Sequence, residues 1–210
     1  MAIKDVYQAV LAFDEARVSE AVKAEIEAGA DITSILNDGL IAAMDEVGRL
    51  FSLGTLFVPE MLMAAQAMKA GVEILKPHLG EIELRYKGTI VIGTVKGDLH
   101  DIGKNLVAMM MEGAGFNVVD LGVDVNVGKF LSAAEENQAD MVALSALLTT
   151  TMPAMKELID VLTESGMRDR VKIIVGGAPV TQEFAHEIGA DGYGPNAPDA
   201  VQLAKRLLME

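Results

Sequence analysis

The 210-residue sequence contains no cysteine and no tryptophan. Without cysteine there can be no disulfide, no thiolate-bound zinc, no iron–sulfur cluster and no covalently attached haem. Aromatic residues make up only 4 %, and thirteen methionines are available to fill the core in their place. Basic residues are also scarce: 17 Lys and Arg against 31 Asp and Glu give a net charge of −14. Phosphate recognition needs clustered cations, so neither nucleic acid nor an anionic membrane is an expected partner. No apolar run approaches the ~18 residues of a membrane span. The N-terminal stretch MAIKDVYQAVLAFDEARV lacks the basic start and long apolar centre of a secretory signal, so a cytoplasmic location is expected. The glycine patterns of dinucleotide and P-loop sites are missing as well.

What is present changes character near residue 85. Before it, apolar residues recur at helical spacing. Val6, Ala9, Val10 and Phe13 outline a first helix, and Val18, Ala21, Val22 and Ile26 a second, closed by Gly29. Asp31 is a good N-cap for a third that carries Ile35, Leu36, Leu40, Met44 and Val47. Pro59 suits the first turn of a fourth, Glu60 to Leu75. Four short-linked amphipathic helices predict a small bundle over 1–80. The polar stretch 81–88 is read as a linker and hinge. From 89 to 210 the rhythm is strand, turn, helix. Strands are expected at Thr89–Val95, Asn117–Leu121, Met141–Ser145, Lys172–Val175 and Asp191–Tyr193, with helices between them and a last one at Asp199–Leu208. Continuous apolar strands alternating with helices predict a five-stranded parallel sheet in a doubly wound α/β domain. Such sheets bind ligands at the carboxyl ends of their strands.

Gly97, Asp98, His100 and Asp101 fall at the end of the first strand. A lone aspartate there is ordinarily a helix cap. A histidine two residues from Asp98 adds a second reading. One ring nitrogen can donate to the carboxylate while the other points outward as a metal ligand. A self-contained zinc site needs about three or four protein ligands, and the only other histidines, His78 and His186, have no matching neighbours. A metal on His100 would therefore bring its other ligands with it, as a macrocycle does. Ser145 and Thr149 to Thr151 end the third strand, the pair Gly176–Gly177 ends the fourth, and GYGPNAP ends the fifth. Each has an ordinary structural reading as a turn or cap; together they outline one long cleft.

These residues carry a resemblance. GDLHDIGKN is similar to the Asp-x-His-x-x-Gly signature of cobalamin-binding domains, followed in order by Ser-x-Leu (Ser145, Leu147) and Gly-Gly (Gly176, Gly177). The helical half, through MDEVGRLFSLGTLFVPEML, resembles the cap domain of corrinoid methyltransferases and of methionine synthase. The likeness is strongest to the small corrinoid proteins of three-component methyltransferase systems. It implies a helical cap followed by a Rossmann-like, flavodoxin-type domain that holds cobalamin or a related cobamide. It makes His100 the lower axial ligand of cobalt, with Asp98 and Thr151 as a ligand relay. Gly97, Leu99, Asp101, Gly103, Ser145, Leu147, Thr149, Gly176, Gly177, Ala178, Tyr193 and Ala197 become cofactor contacts. Phe51, Val58 and Met61 would shield the upper face, together with Asn37, which stands where methionine synthase has a glutamate.

The resemblance further implies a carrier. Co(I) would accept a methyl group from a substrate-specific methyltransferase, and methyl-Co(III) would pass it to an acceptor methyltransferase using tetrahydrofolate or coenzyme M. A reductive activator would be the third partner. A cobalamin-dependent sensor, the small subunit of an adenosylcobalamin mutase, and a flavodoxin-like domain with no cobalamin are the competing readings.

Overall fold

The computed structural model describes residues 3–78 and 87–209. The chain divides into two compact units, Met1–Arg85 with Gly113–Gly115, and Tyr86–Glu112 with Phe116–Glu210. Most of the expected linker, 81–86, lies outside the described residues.

The first unit is helical. α1 (Ile3–Leu11) and α2 (Glu15–Glu27) are joined by a tight turn, and the Asp14 side chain caps α2 by accepting from Arg17 N. Asp31 caps the next helix as expected, accepting from Ser34 N at 2.8 Å. That helix is continuous but not regular. α3 (Ile32–Ser34) runs into a π-helical stretch, Ile35–Ile41, and then into α4 (Ala42–Ser52). Gly39 lies in this stretch, where a Cβ would sit 3.1 Å from Val6 Cγ1. α5 (Val58–Leu75) begins with Pro59 in its first turn, and Glu60 reaches back to accept from Phe57 N at 2.8 Å. A 3₁₀ turn, Lys76–His78, ends the unit. α5 packs along α2, and at Gly71 it comes close enough that a Cβ would meet Leu40 and Val18 at 2.9 Å. Val6, Val10, Val22, Ile35, Leu40, Val47, Met61 and Leu75 are fully buried and form the bundle core.

The second unit is the expected α/β sandwich. β1 (Thr89–Thr94), β2 (Asn117–Asp120), β3 (Met141–Ser145), β4 (Lys172–Gly176) and β5 (Gly192–Gly194) form one parallel sheet in the order β2-β1-β3-β4-β5. α6 (Ile102–Gly113), α7 (Val127–Glu136), α8 (Pro153–Glu164) and α9 (Gln182–Glu187) connect them, and α10 (Ala197–Met209) follows β5. Alternate strand residues face opposite sides. Val91, Val142, Leu144, Ile173 and Val175 share a core with Phe130 and Ala134 of α7, Met155, Leu158 and Leu162 of α8, and Ala185 of α9. Their neighbours Ile90, Ile92, Ala143 and Ile174 are buried too, which accounts for strands without polar alternation. The chain leaves β1 for β2 on one side and later returns to β3 on the other. The carboxyl ends of β1 and β3 are thus the switch point where this topology opens a crevice. No helix among the described residues is long and apolar enough to cross a membrane.

Candidate functional site

The crevice is built from the loops after β1 and β3. The Asp98 side chain is fully buried there and meets four donors. Oδ2 accepts from Leu147 N at 2.7 Å and from Thr151 Oγ1 at 2.8 Å, both on the β3 loop. Oδ1 accepts from His100 N at 3.1 Å and faces His100 Nδ1 at 2.7 Å. Burial pushes this carboxyl upward. The bonds from Leu147 N, the His100 ring, the Thr151 hydroxyl and His100 N outweigh it and hold Asp98 well below the usual carboxylate range. An ionised carboxylate only accepts, so Nδ1 is the donor and the neutral ring's lone pair lies on Nε2. The His100 side chain is 51 % exposed, while Thr94 Oγ1 donates to its carbonyl at 2.8 Å. The result is an imidazole whose tautomer and direction are set from beneath.

The two aspartates differ in their partners. Asp98 spends its carboxylate on His100 and the β3 loop and does not cap α6. Asp101 takes the place at the helix start: its carbonyl accepts from Asn105 N at 2.7 Å and its carboxylate from Asn105 Nδ2 at 3.1 Å. The same two loops and the start of α6 carry exposed apolar side chains, Leu99 at 72 %, Ile102, Leu147 at 41 % and Leu148. Gly97 has φ +83°, which turns the chain back toward Asp98.

Glycines shape the rest. Gly177, with φ +121°, presses so closely on the β3 loop that a Cβ would lie 1.8 Å from the Ala146 carbonyl oxygen. At Gly176 a Cβ would meet the Gly194 carbonyl at 3.0 Å. A Cβ at Gly103 would meet nothing within 4 Å, so nothing in the protein itself requires glycine there. Thr149 and Ala178 are exposed, Ser145 and Tyr193 half-buried, and Ala197 is buried at the start of α10. In the helical unit Met61 is fully buried, Phe51 half-buried, and Val58 and Asn37 exposed, Asn37 within the π-helical stretch.

Two residues escaped the sequence reading. Lys104 is buried, with Nζ donating to Asn105 Oδ1 at 2.6 Å and to Asp120 Oδ2. Asp124, after β2, bonds to the Gly97–Asp98 segment. The only signal for the first was a lysine in an otherwise apolar helical stretch, and for the second the glycine-marked turn DLGVD.

Among the described residues no group of three His, Cys, Asp or Glu is placed to hold a metal ion. One outward imidazole nitrogen, an apolar surround and glycine-lined neighbouring loops instead fit a metal carried in a macrocycle. Fold and site define a cofactor-binding α/β unit preceded by a helical bundle. Comparison with known proteins agrees. A B12 binding domain family matches residues 88–202, and a second family described as B12 binding domain matches residues 2–76. The chain is 51 % identical over 179 residues to dimethylamine corrinoid protein 1 of Methanosarcina acetivorans, covering 85 % of this chain and 84 % of that one. It is 46 % identical to trimethylamine corrinoid protein 2 of Methanosarcina mazei, covering 93 % and 91 %. Among solved structures, the methanol:cobalamin methyltransferase complex MtaBC from Methanosarcina barkeri matches with a TM-score of 0.90 at 37 % identity, over 99 % of this chain and 79 % of that one. The chain belongs to the B12-binding corrinoid proteins of methylamine and methanol methyltransferase systems, methyl-carrying proteins whose cofactor is a cobalamin or related cobamide.

Proposed function

We propose that this chain is the methyl shuttle between two methyltransferases, with His100 Nε2 as the lower ligand of cobalt. The observation that carries the reading is the Nδ1–Asp98 contact of 2.7 Å on a half-exposed ring at the sheet's switch point. When bound, the corrin supplies cobalt that is a nucleophile toward an activated methyl group in its reduced state and a methyl donor once methylated. The protein's own residues do the rest. Asp98 holds His100 in the tautomer that can ligate, and Thr151 holds Asp98. Leu99 and Leu147 offer apolar surface to the macrocycle. Ser145, Thr149, Gly176, Gly177, Ala178, Tyr193 and Ala197 line the slot for its nucleotide tail, and the bare helix face at Gly103 admits it. In the helical unit Phe51, Val58 and Asn37 are the residues offered for excluding water from the methyl group, while Met61 belongs to the bundle core.

The relatives named for di- and trimethylamine favour a methylated amine as the donor, delivered by a substrate-specific methyltransferase. An acceptor methyltransferase, using tetrahydrofolate or coenzyme M, takes the methyl onward, and a reductive activator restores oxidised cobalt. The sensor reading is not favoured, since the relatives bear the names of corrinoid proteins of methylamine metabolism. The test is a visible spectrum of the protein reconstituted with hydroxocobalamin, beside His100→Ala. The expected outcome is a retained corrin with histidine-ligated absorption in wild type, and loss of that signature in the variant. Identical spectra would remove His100 as the ligand.

A further inference from the structure

The loop after β2 grips the ligand-bearing segment from the side opposite Thr151. Asp124 Oδ1 accepts from Gly97 N at 2.7 Å, and Asp124 N donates to the Asp98 carbonyl at 2.9 Å. Asp124 makes both contacts from an unusual backbone. Asp124 has φ +53°, a left-handed conformation that few non-glycine residues tolerate and that Asp and Asn tolerate best. In that conformation its amide and its carboxylate face the same two residues.

The loop that carries Asp124 is itself held. Val125 N donates to the Thr94 carbonyl and Thr94 N to the Gly122 carbonyl, each at 3.0 Å, and Val95 and Val125 form a parallel bridge. At its base, Asp120 Oδ1 accepts from Gly122 N at 2.9 Å, while Asp120 Oδ2 takes the buried Lys104 ammonium. A buried ammonium without that partner would be costly, so β2 and the start of α6 are tied together. The Asp98 carboxylate is thus fixed by the β3 loop and its main chain by the β2 loop.

We infer that Asp124 is a positioning residue for His100: it clamps Gly97 and Asp98 so that the imidazole is presented to cobalt in one place, and so sets the fraction of molecules in which His100 is ligated. This rests on the reading of His100 as the cobalt ligand. Release of the clamp leaves Asp98 held by its side chain and by its own amide, which donates to the Val95 carbonyl at 3.1 Å. The ring can then drift while keeping its bond to the carboxylate.

The test uses the full chain reconstituted with hydroxocobalamin and reduced to Co(II). In electron paramagnetic resonance, with ¹⁵N-labelled histidine in the protein, a coordinated imidazole splits each cobalt line into two, whereas the cofactor's own ¹⁴N base splits it into three; the split fraction is that of the two-line signal. Asp124→Gly keeps the left-handed backbone and removes the acceptor; Asp124→Asn keeps both. In Asp124→Gly the ratio of split to unsplit molecules should fall by about three- to tenfold, the range set by the net loss of one solvent-exposed hydrogen bond. In Asp124→Asn it should stay within about twofold of wild type, because the acceptor oxygen remains. Amide exchange at Gly97, measured on protein without corrin, should quicken in Asp124→Gly and change little in Asp124→Asn. Nitrogen splitting in wild type that is unchanged in Asp124→Gly overturns the proposal alone. Corrin held by wild type without the two-line histidine splitting overturns the ligand reading, and the proposal with it.

Discussion

In the sheet unit the candidate residues bind one another. Asp98 joins His100, Leu147 and Thr151 through one carboxylate, across 53 residues of sequence. In the helical unit the candidates sort by burial instead: Met61 belongs to the bundle core, Phe51 is half-covered, and Val58 and Asn37 face outward. The contrast follows from the two tasks. A ligand must be aimed, and direction comes from hydrogen bonds whose geometry fails within a few tenths of an ångström. A shield needs only apolar shape, which a helix surface supplies without bonds between its members. Substitutions in the first unit to be described should therefore separate fold from function cleanly, whereas those around Asp98 should disturb both.

The largest effect is expected at the glycine that lets two strand-end loops touch. Gly177→Ala forces a Cβ against the Ala146 carbonyl at a left-handed φ, and should cost about 4 kcal/mol from strain and overpacking together. The unfolding transition of the sheet unit in urea measures it. An unaltered midpoint would mean that the close approach is relaxed elsewhere.

Next come Met61→Ala and Val58→Ala. Met61 is fully buried and its truncation should cost about 3 kcal/mol in bundle stability. Val58 is 40 % exposed, and its truncation should stay within about 0.5 kcal/mol. If Val58 serves the upper face, its loss should appear as faster attack of water or oxygen on the loaded protein. Equal stability losses for the two would erase the distinction between core and shield.

Smaller than the Met61 effect is that of Thr151→Val, which removes one of the four donors to Asp98. It should cost about 1 kcal/mol near neutral pH. Asp98 is held below its unfolded value, so the stability it contributes is present above about pH 4 and is lost as pH falls through the folded value. Thr151→Val raises the folded value toward the ordinary one. Unfolding curves of variant and wild type should therefore differ most above pH 4 and converge in acid. A difference that persists undiminished in acid would place the effect in packing, not in the carboxylate.

Much of this was legible in the sequence. Every strand begins within one residue of its expected position, because buried apolar runs bounded by glycine and polar residues carry their own ends. Asp31 as a cap, Pro59 in a first turn and the pairing of Asp98 with His100 are local features, two or three residues across. The π-helical stretch was not legible. Its residues have ordinary helical spacing, and Gly39 acquires its significance only against Val6 of another helix. Lys104 was equally hidden: a lysine near a helix start reads as solvated until Asp120 is found beneath it.

By itself, the sequence determined the periodicities, hence the order of helices and strands, and with them the strand end on which His100 stands. Those patterns arise from contacts between near neighbours along the chain. Only the tertiary structure decided what surrounds that histidine. It set Asp98 against the β3 loop, where Thr151 donates to it, with Asp124 of the β2 loop across from it. Such contacts exist only once parallel strands with intervening helices have brought distant loops to one edge of the sheet, and no local preference encodes which loop residues will meet there.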